Sequence, residues 1–255
     1  MSCAATHSET AGAFFDIDGT LLPAPSLEWR FIGYLLERNE ISSGHRVRWL
    51  ARFATTFWHD PHGATLGNKL FLRRLSETLV NDWEKSLTPV SSRVDSLPFF
   101  DEALRRIAWH RAQGHRVFLV SGTLAPLARV LARGLAACIS ADIEVCGTEL
   151  AVVPGSERVW SGEIAGEHVS GGAKLRAVQV IAGRYGLDLA RSYAYGDSAA
   201  DLQMLDAVGH SIAVNPARRL AREARKRGWQ TCAWQKTLGE ISNAAARQLA
   251  SKAIR

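Results

Sequence analysis

Residues 13–20 read A-F-F-D-I-D-G-T. A short apolar run passes directly into Asp16 and Asp18, and Gly19 follows as a residue that favours a tight turn. Because side chains two residues apart on an extended chain point to the same side, the two carboxylates face together. The stretch therefore predicts a buried strand that delivers two carboxylates to one place at its carboxyl end.

Four more runs have the same short, apolar, β-branched or aromatic character. They are residues 116–122, 143–147, 192–197 and 210–215. Segments with helical periodicity lie between or beside them, at residues 101–113, 126–136, 173–185, 199–208 and 216–227. Near-continuous apolar strands that alternate with helices are typical of a parallel sheet covered on both faces. We predict an open, doubly wound parallel α/β sheet.

One stretch interrupts this alternation. After the first strand, about eighty residues show helical patterns only, at residues 29–36, 47–58 and 66–79. A second irregularity is a hairpin signal in residues 149–164, around Pro154-Gly155. We therefore predict a flexible tail over residues 1–12, an α/β catalytic core over 13–21 and 92–236, an inserted helical cap over 22–91, and a basic C-terminal helix or tail over 237–255.

Composition and charge set limits on function. Of the 255 residues, 47% are hydrophobic and 22% are charged, as in an ordinary globular protein. The net charge of +6 is local, because residues 215–255 hold ten Lys and Arg against two Asp and Glu, and the remainder holds 21 against 23. We expect no nucleic-acid partner, although a module that binds anionic lipid or nucleic acid through the basic segment 216–227 is one alternative.

The cysteines and the apolar runs bear on location. Cys3, Cys138, Cys146 and Cys232 form no C-x-x-C pair, which favours a reducing, cytoplasmic compartment. No run approaches the length of a membrane span, so none is expected. His59 and His62 have no further ligand at zinc spacing, which disfavours zinc.

Four polar clusters follow strands or open helices, at the edge of the sheet where ligands of such folds bind. They contain Asp16 and Asp18, then Ser121 and Gly122, then Lys174, and finally Asp197 and Asp201. Four carboxylates against one lysine would repel a phosphate, and hard oxygen ligands of this kind suit Mg²⁺. The clusters therefore predict a magnesium-dependent site for a phosphate group, with the Ser121 hydroxyl as one of its ligands.

These four clusters, in this order over residues 13–215, resemble the motifs of the haloacid dehalogenase superfamily of aspartate-nucleophile phosphohydrolases. The resemblance implies that Asp16 is the nucleophile that forms an aspartyl-phosphate and that Asp18 is the general acid and base. It implies that Ser121, Gly122 and Lys174 bind phosphate. It also implies Mg²⁺ ligands at Asp16, Asp197 and the Asp18 backbone carbonyl, with Asp201 and Thr20 in supporting roles.

The cap position, G-E-I at 162–164 and G-G-A-K at 171–174 resemble the subgroup with a helical cap after the first motif, which contains phosphoserine phosphatases. Three positions depart from those enzymes: Pro25 replaces a substrate-reading Glu, Thr123-Leu124 replaces Gly-Phe, and Ala200 replaces Asn. The resemblance thus implies a phosphomonoester hydrolase for a small phosphorylated metabolite. Phosphoserine phosphatase proper and a phosphotransferase of the same family remain alternatives.

Two further expectations concern substrate and class. Glu28, Trp29 and Arg30 are candidate substrate contacts from the predicted cap. A phosphoacceptor signalling domain also uses clustered Asp, Ser or Thr and Lys, but such domains are about half this length and place the lysine last. The order found here, which ends in Gly196-Asp197, disfavours that alternative.

Overall fold

The computed structural model describes residues 10–44, 47, 50–51, 72–87, 97–139, 142–156 and 158–235. Its strands are β1 (Gly12–Phe15), β2 (Arg116–Leu124), β3 (Ile143–Thr148), β4 (Leu150–Val152), β5 (Trp160–Ile164), β6 (Tyr193–Gly196), β7 (His210–Val214) and β8 (Gln230–Cys232). Six of them form one parallel sheet in the order β3-β2-β1-β6-β7-β8, and β4 and β5 form an antiparallel hairpin. The predicted doubly wound parallel sheet and the hairpin are confirmed.

The strand order reverses between β1 and β6, so connections leave this point in opposite directions. A crevice opens beyond the carboxyl ends of the strands at such a switch point. Asp16 directly follows β1, and Asp197 directly follows β6. The topology alone therefore brings two of the predicted site residues to one crevice.

The helices are α1 (Leu27–Glu37), α2 (Thr78–Ser86), α3 (Asp101–Ala112), α4 (Ala125–Ile139), α5 (Gly172–Tyr185), α6 (Leu202–Asp206) and α7 (Arg218–Arg227). Single 3-10 turns lie at Leu189–Arg191 and Ala199–Asp201. No helix in these described ranges is long and apolar enough to cross a membrane.

Both faces of the sheet are buried, and β1 shows why its sequence is continuously apolar. All four of its residues are buried. Phe15 packs in one cluster with α1, α3 and α4, whereas Phe14 packs in a second cluster with α5, α6 and α7. A strand with partners on both sides needs apolar side chains at every position. This sandwich holds the carboxyl end of β1, and with it Asp16, in a fixed place.

The insertion after β1 differs in part from its prediction. Helix α1 confirms the pattern at 29–36, and of the pattern at 47–58 only residues 47, 50 and 51 are described, all helical. The helix predicted over 66–79 is wrong for its described residues 72–77, because the Arg74 and Glu77 N–H groups donate to carbonyls of Trp160 and Arg158. That pairing with the hairpin delays the helix to Thr78.

Two terminal boundaries also change. The predicted tail 1–12 is wrong for residues 10–12, because Gly12 begins β1 and Thr10 forms a bridge to Leu187. Strand β8 had no sequence prediction. Residues 1–9 and 236–255, with the whole of the predicted basic C-terminal helix or tail, lie outside the described residues, as do His59 and His62. The cap boundaries at 22–91 stay a prediction, since 52–71 and 88–96 also lie outside.

Candidate active site

Asp16 stands at the end of β1 with its backbone still in register with the sheet. Its N–H donates to the carbonyl of Tyr195 in β6 at 3.0 Å. The residue is 6% exposed, and its Oδ1 accepts a 2.7 Å hydrogen bond from Lys174 Nζ. Burial raises the pKa of Asp16 to about 6, the Lys174 charge opposes this, and the nearby Asp201 charge adds to it. The lysine therefore favours the ionised carboxylate.

A tight turn follows Asp16 and requires glycine at position 19. Gly19 has a φ of +87° and donates its N–H to the carbonyl of Leu22 at 2.8 Å. A Cβ on this residue would overlap the carboxylate of Asp197. Only glycine allows both the backbone conformation and this close approach between the loops after β1 and β6.

Asp18 is held by two donors from different elements. Its Oδ1 accepts the N–H of Leu27, the first residue of α1, at 2.7 Å, and its Oδ2 accepts the hydroxyl of Thr123 at 2.7 Å. Burial raises the pKa of Asp18, and these two hydrogen bonds oppose the rise. The side chain is thus fixed in orientation beside Asp16 and keeps the raised pKa that a general acid needs.

The carboxyl end of β2 supplies the hydroxyl groups. Ser121 and Thr123 are buried, and the Ser121 hydroxyl donates to Thr123 Oγ1 at 3.1 Å. Between them, Gly122 lies against the His168 ring, and a Cβ there would come within 2.8 Å of the ring carbon. The structure thus links Ser121 to Asp18 through Thr123, for which sequence analysis had no role, and the phosphate-binding roles of Ser121 and Gly122 stay predictions.

Lys174 is the cation of the site. It lies in the first turn of α5, is 2% exposed, and donates to Asp16 Oδ1 at 2.7 Å and to Asp201 Oδ1 at 2.5 Å. Burial alone would lower its pKa, but the two carboxylates outweigh burial and raise it. Lys174 therefore stays charged and links the loop after β1 to the loop after β6.

Asp201 is fully buried and already saturated with donors. Besides Lys174, its Oδ2 accepts the N–H groups of Asp197 and Ser198 at 3.1 and 2.9 Å and the Ser198 hydroxyl at 3.0 Å. Ser198 also caps the 3-10 turn that Asp201 ends, in a reciprocal capping box. These contacts favour the predicted supporting role for Asp201.

Asp197 faces the crevice. Within the described ranges its carboxylate makes no hydrogen bond to another residue, and it lies opposite Gly19. Burial, together with the charges of Asp16 and Asp201, raises its pKa to about 8. A carboxylate placed among like charges without a donor is suited to a cation.

The donor set fits a divalent metal ion with hard oxygen ligands. Oxygens of Asp16, Asp197 and Asp201 lie within 4.8 Å of one another. Because Asp201 is saturated by protein donors, Asp16 and Asp197 are the two carboxylates left for a metal. One or two carboxylates are what Mg²⁺ commonly takes from protein, with phosphate oxygens and water completing its shell.

The remaining predicted residues have different surroundings. The Oε1 of Glu28 accepts the N–H of Leu124 at 3.2 Å and so ties α1 to the end of β2. Trp29 is 55% exposed. Arg30 donates from Nη2 to the Pro23 carbonyl at 3.0 Å, and its buried Nε–H has no acceptor among the described residues. Within the same ranges the Thr20 hydroxyl is buried without a hydrogen-bond partner. Of these four, Arg30 offers a donor close to Asp18.

Comparison with known proteins identifies the family. The model of the haloacid dehalogenase-like hydrolases matches residues 13–206, which is most of the chain. The chain belongs to this family. The predicted family and the prediction of an enzyme are thereby confirmed, and the match spans all four polar clusters.

The chain is similar to several curated proteins, some of which are named as phosphatases. It is 29% identical to the phosphoserine phosphatase SerB1 of Mycobacterium tuberculosis over 224 residues, covering 87% of this chain and 70% of the relative. It is 38% identical over 130 residues to the inhibition of morphological differentiation protein of Streptomyces azureus, covering 51% of this chain and 44% of that protein. This chain is thus a hydrolase of the haloacid dehalogenase-like family, and proteins named as phosphatases are among its relatives.

Solved structures agree on the fold. A protein of unknown function from Bordetella pertussis has a TM-score of 0.69 at 24% identity, over 88% of this chain and 98% of that chain. A phosphoserine phosphatase in apo form has a TM-score of 0.55 at 21% identity, over 92% and 98%. At these identities the likeness shows the fold alone.

Proposed function

We propose that this enzyme is a Mg²⁺-dependent phosphomonoesterase that acts on a small phosphorylated metabolite through an aspartyl-phosphate at Asp16. The observation that carries the proposal is the hydrogen bond from Lys174 to Asp16, with Asp18 fixed beside it at the switch point of the sheet. The names of the relatives, which include a phosphoserine phosphatase, support the same reaction class.

In the first step, an Asp16 oxygen attacks phosphorus, the bond from phosphorus to the leaving oxygen breaks, and Asp18 gives that oxygen a proton. The products are an alcohol and an acyl phosphate on Asp16. In the second step, Asp18 takes a proton from water, the water oxygen attacks phosphorus, and the Asp16 carboxylate is restored. Covalent catalysis splits one difficult displacement into two easier ones.

Charge stabilisation comes from a fixed set of groups. We assign Lys174 and the Ser121 hydroxyl as hydrogen-bond donors to phosphoryl oxygens of the substrate. Asp16, Asp197 and the backbone carbonyl of Asp18 would hold Mg²⁺, which supplies positive charge to the transferring phosphoryl group. The raised pKa of Asp197 supports this assignment, because a nearby cation would favour its ionised form.

Arg30 is the side chain that we propose as a contact of the leaving group. Burial lowers its pKa and the charge of Asp18 opposes this, so the two groups interact. The Nε–H has no acceptor in the part of the chain that the structure describes, and a buried donor without an acceptor costs free energy. A substrate with a carboxylate or another acceptor near its phosphate would satisfy it.

The free thiols of Cys146 and Cys232 accord with a reducing compartment. We propose the cytoplasm as the site of action and a soluble small molecule as the substrate. A panel of phosphorylated metabolites, scored by released phosphate, would identify the leaving group. Added alcohol in the same assay would reveal a phosphotransferase through a phosphorylated alcohol.

The test of the proposed function is hydrolysis of p-nitrophenyl phosphate. We expect activity that requires Mg²⁺, is lost in EDTA and returns when Mg²⁺ is restored, and we expect Asp16→Asn to abolish it. Asp82→Asn is the matched control, since Asp82 forms only an exposed ion pair with Lys85. Full activity in EDTA or in Asp16→Asn would overturn the proposal.

A further inference from the structure

Thr123 lies between two residues of the proposed mechanism. Its hydroxyl donates to Asp18 Oδ2 at 2.7 Å and accepts from the Ser121 hydroxyl at 3.1 Å, while its N–H donates to Ser121 Oγ at 3.3 Å. Thr123 and Ser121 are 4% and 2% exposed. A buried chain of three hydrogen-bonding side chains therefore runs from the phosphate-binding serine to the general acid.

The two donors to Asp18 differ in what they can do. The Leu27 N–H is a permanent donor, so the Asp18 Oδ1 that it contacts can only accept. A threonine hydroxyl both donates and accepts, so its hydrogen bond to Oδ2 can reverse. A proton carried by Asp18 must therefore sit on Oδ2, next to the one partner that tolerates it.

We propose that Thr123 is a positioning residue that fixes Asp18 Oδ2 toward the leaving group and reverses its hydrogen bond when Asp18 gives up or regains its proton. This inference rests on the proposed function. It concerns a side chain in which the chain departs from the motif that it resembles, where glycine follows Ser-Gly. The Thr123 hydroxyl therefore has no counterpart in that motif.

The change in direction of the Thr123 hydroxyl accounts for every proton in both steps of the reaction. While Oδ2 carries a proton, the Ser121 hydroxyl donates to a phosphoryl oxygen of the substrate, and the Thr123 hydroxyl can direct its own proton to Ser121 Oγ. When the leaving oxygen takes the proton from Oδ2, the Thr123 hydroxyl turns back and donates to the new carboxylate, as in the structure. When Asp18 then takes a proton from water, Thr123 turns away again. No group beyond these three side chains, the substrate and water is needed.

The experiment measures kcat/KM for p-nitrophenyl phosphate and for ethyl phosphate in Thr123→Val and Thr123→Ser. The ratio kcat/KM reports the steps up to departure of the leaving group. Ethoxide leaves poorly and needs a proton, whereas p-nitrophenolate does not. We expect Thr123→Val to lower kcat/KM about tenfold or more for ethyl phosphate and less than about threefold for p-nitrophenyl phosphate, because general acid catalysis contributes at least that much.

Two comparisons keep the test decisive. Thr123→Ser keeps the hydroxyl and should restore the wild-type ratio between the two substrates. Thr148→Val removes another buried threonine hydroxyl, which accepts the Val169 N–H at 3.1 Å, and should leave the ratio unchanged. If Thr123→Val does not fold, Thr123→Ala takes its place.

An equal loss for both substrates, or no loss, in the valine or alanine variant would overturn the inference and leave the proposed function standing. A wild-type enzyme that hydrolyses neither substrate would instead count against the proposed function itself.

Discussion

Lys174 Nζ lies 2.7 Å from Asp16 Oδ1, and both side chains are almost completely removed from solvent. The pair joins the first turn of α5 to the end of β1, two elements that are far apart in the chain. A buried ion pair of this kind contributes little net stability, but loss of one partner leaves an uncompensated charge. We therefore expect the loss of one partner to lower stability as well as activity.

Replacement of Lys174 by Met should abolish activity and lower the free energy of unfolding by about 3 kcal/mol, because Asp16 and Asp201 lose their shared cation in a buried place. Urea denaturation and the p-nitrophenyl phosphate assay measure the two effects. Arg176→Met is the control on the same helix, since its ion pair with Glu167 is exposed and should contribute less than about 1 kcal/mol. Equal destabilisation by the two variants would contradict this account.

Replacement of Gly19 by Ala should remove activity through a collision with Asp197. The positive φ of +87° adds a cost of about 1–2 kcal/mol for any L side chain. Gly155→Ala separates the two causes, because Gly155 has a φ of +80° but no atom within 4 Å of a new Cβ. We expect both variants to lose some stability and only Gly19→Ala to lose activity by about a hundredfold or more. An active Gly19→Ala enzyme would show that the loops after β1 and β6 need not approach so closely.

The pH dependence of stability should reveal His110, a residue of α3 whose ring packs against Phe15 of β1 and Tyr195 of β6. Its buried ring bonds Tyr195 Oη at 2.7 Å and His115 Nδ1 at 2.9 Å. Burial, together with the charges of His115 and Arg106, lowers the pKa of His110 to about 3. Between about pH 6.5 and pH 3 the unfolded chain therefore holds a proton that the folded chain lacks. The stability that the neutral, buried His110 ring contributes is therefore fully present above this pH window and is lost as the pH falls through it.

Urea unfolding at about pH 7, 6 and 5 tests this in wild type and His110→Gln. The difference between the two proteins cancels the contributions of the other groups. We expect wild type to lose up to about 1.4 kcal/mol per pH unit more than the variant below pH 6.5. Parallel pH profiles for the two proteins would refute the assignment.

Arg30→Gln should weaken the binding of substrates whose leaving group carries a negative charge. We expect KM for phosphoglycolate to rise about tenfold and KM for ethyl phosphate to change less than about threefold, in keeping with loss of a hydrogen bond to a charged group. Arg38→Gln is the control beyond the end of α1, where Arg38 lies over the Tyr34 ring. Equal changes for both substrates in Arg30→Gln would exclude Arg30 as a contact of the leaving group.

Much of the fold could be predicted from the sequence, and the failures have physical causes. Strands such as β1 are buried on both faces and therefore leave a continuous apolar run. Strand β8 is three residues long and carries Gln230 and Thr231 at the sheet edge, so it has no such signal. The helix predicted over 66–79 failed before Thr78 because partners distant in sequence, at 158–160, satisfy the backbone there.

The candidate site also contains residues that could be predicted from the sequence and one that could not. Asp16, Ser121, Lys174 and Asp197 could be placed because each ends a strand or opens a helix that the pattern identified. The role of Thr123 could not be assigned, because it depends on a hydrogen bond to a residue 105 positions away. Its one signal in the sequence was a second hydroxyl two residues after Ser121, on the same side of the strand.

The central claim is that Asp16 carries the phosphoryl group. The enzyme would be mixed with p-nitrophenyl phosphate and Mg²⁺, quenched within one turnover, treated with borohydride and analysed by peptide mass spectrometry. An acyl phosphate at Asp16 is reduced to the alcohol, so we predict homoserine at position 16 in the wild type and none without substrate. Reduction at another carboxylate, or an unmodified Asp16 under conditions of rapid turnover, would contradict the account.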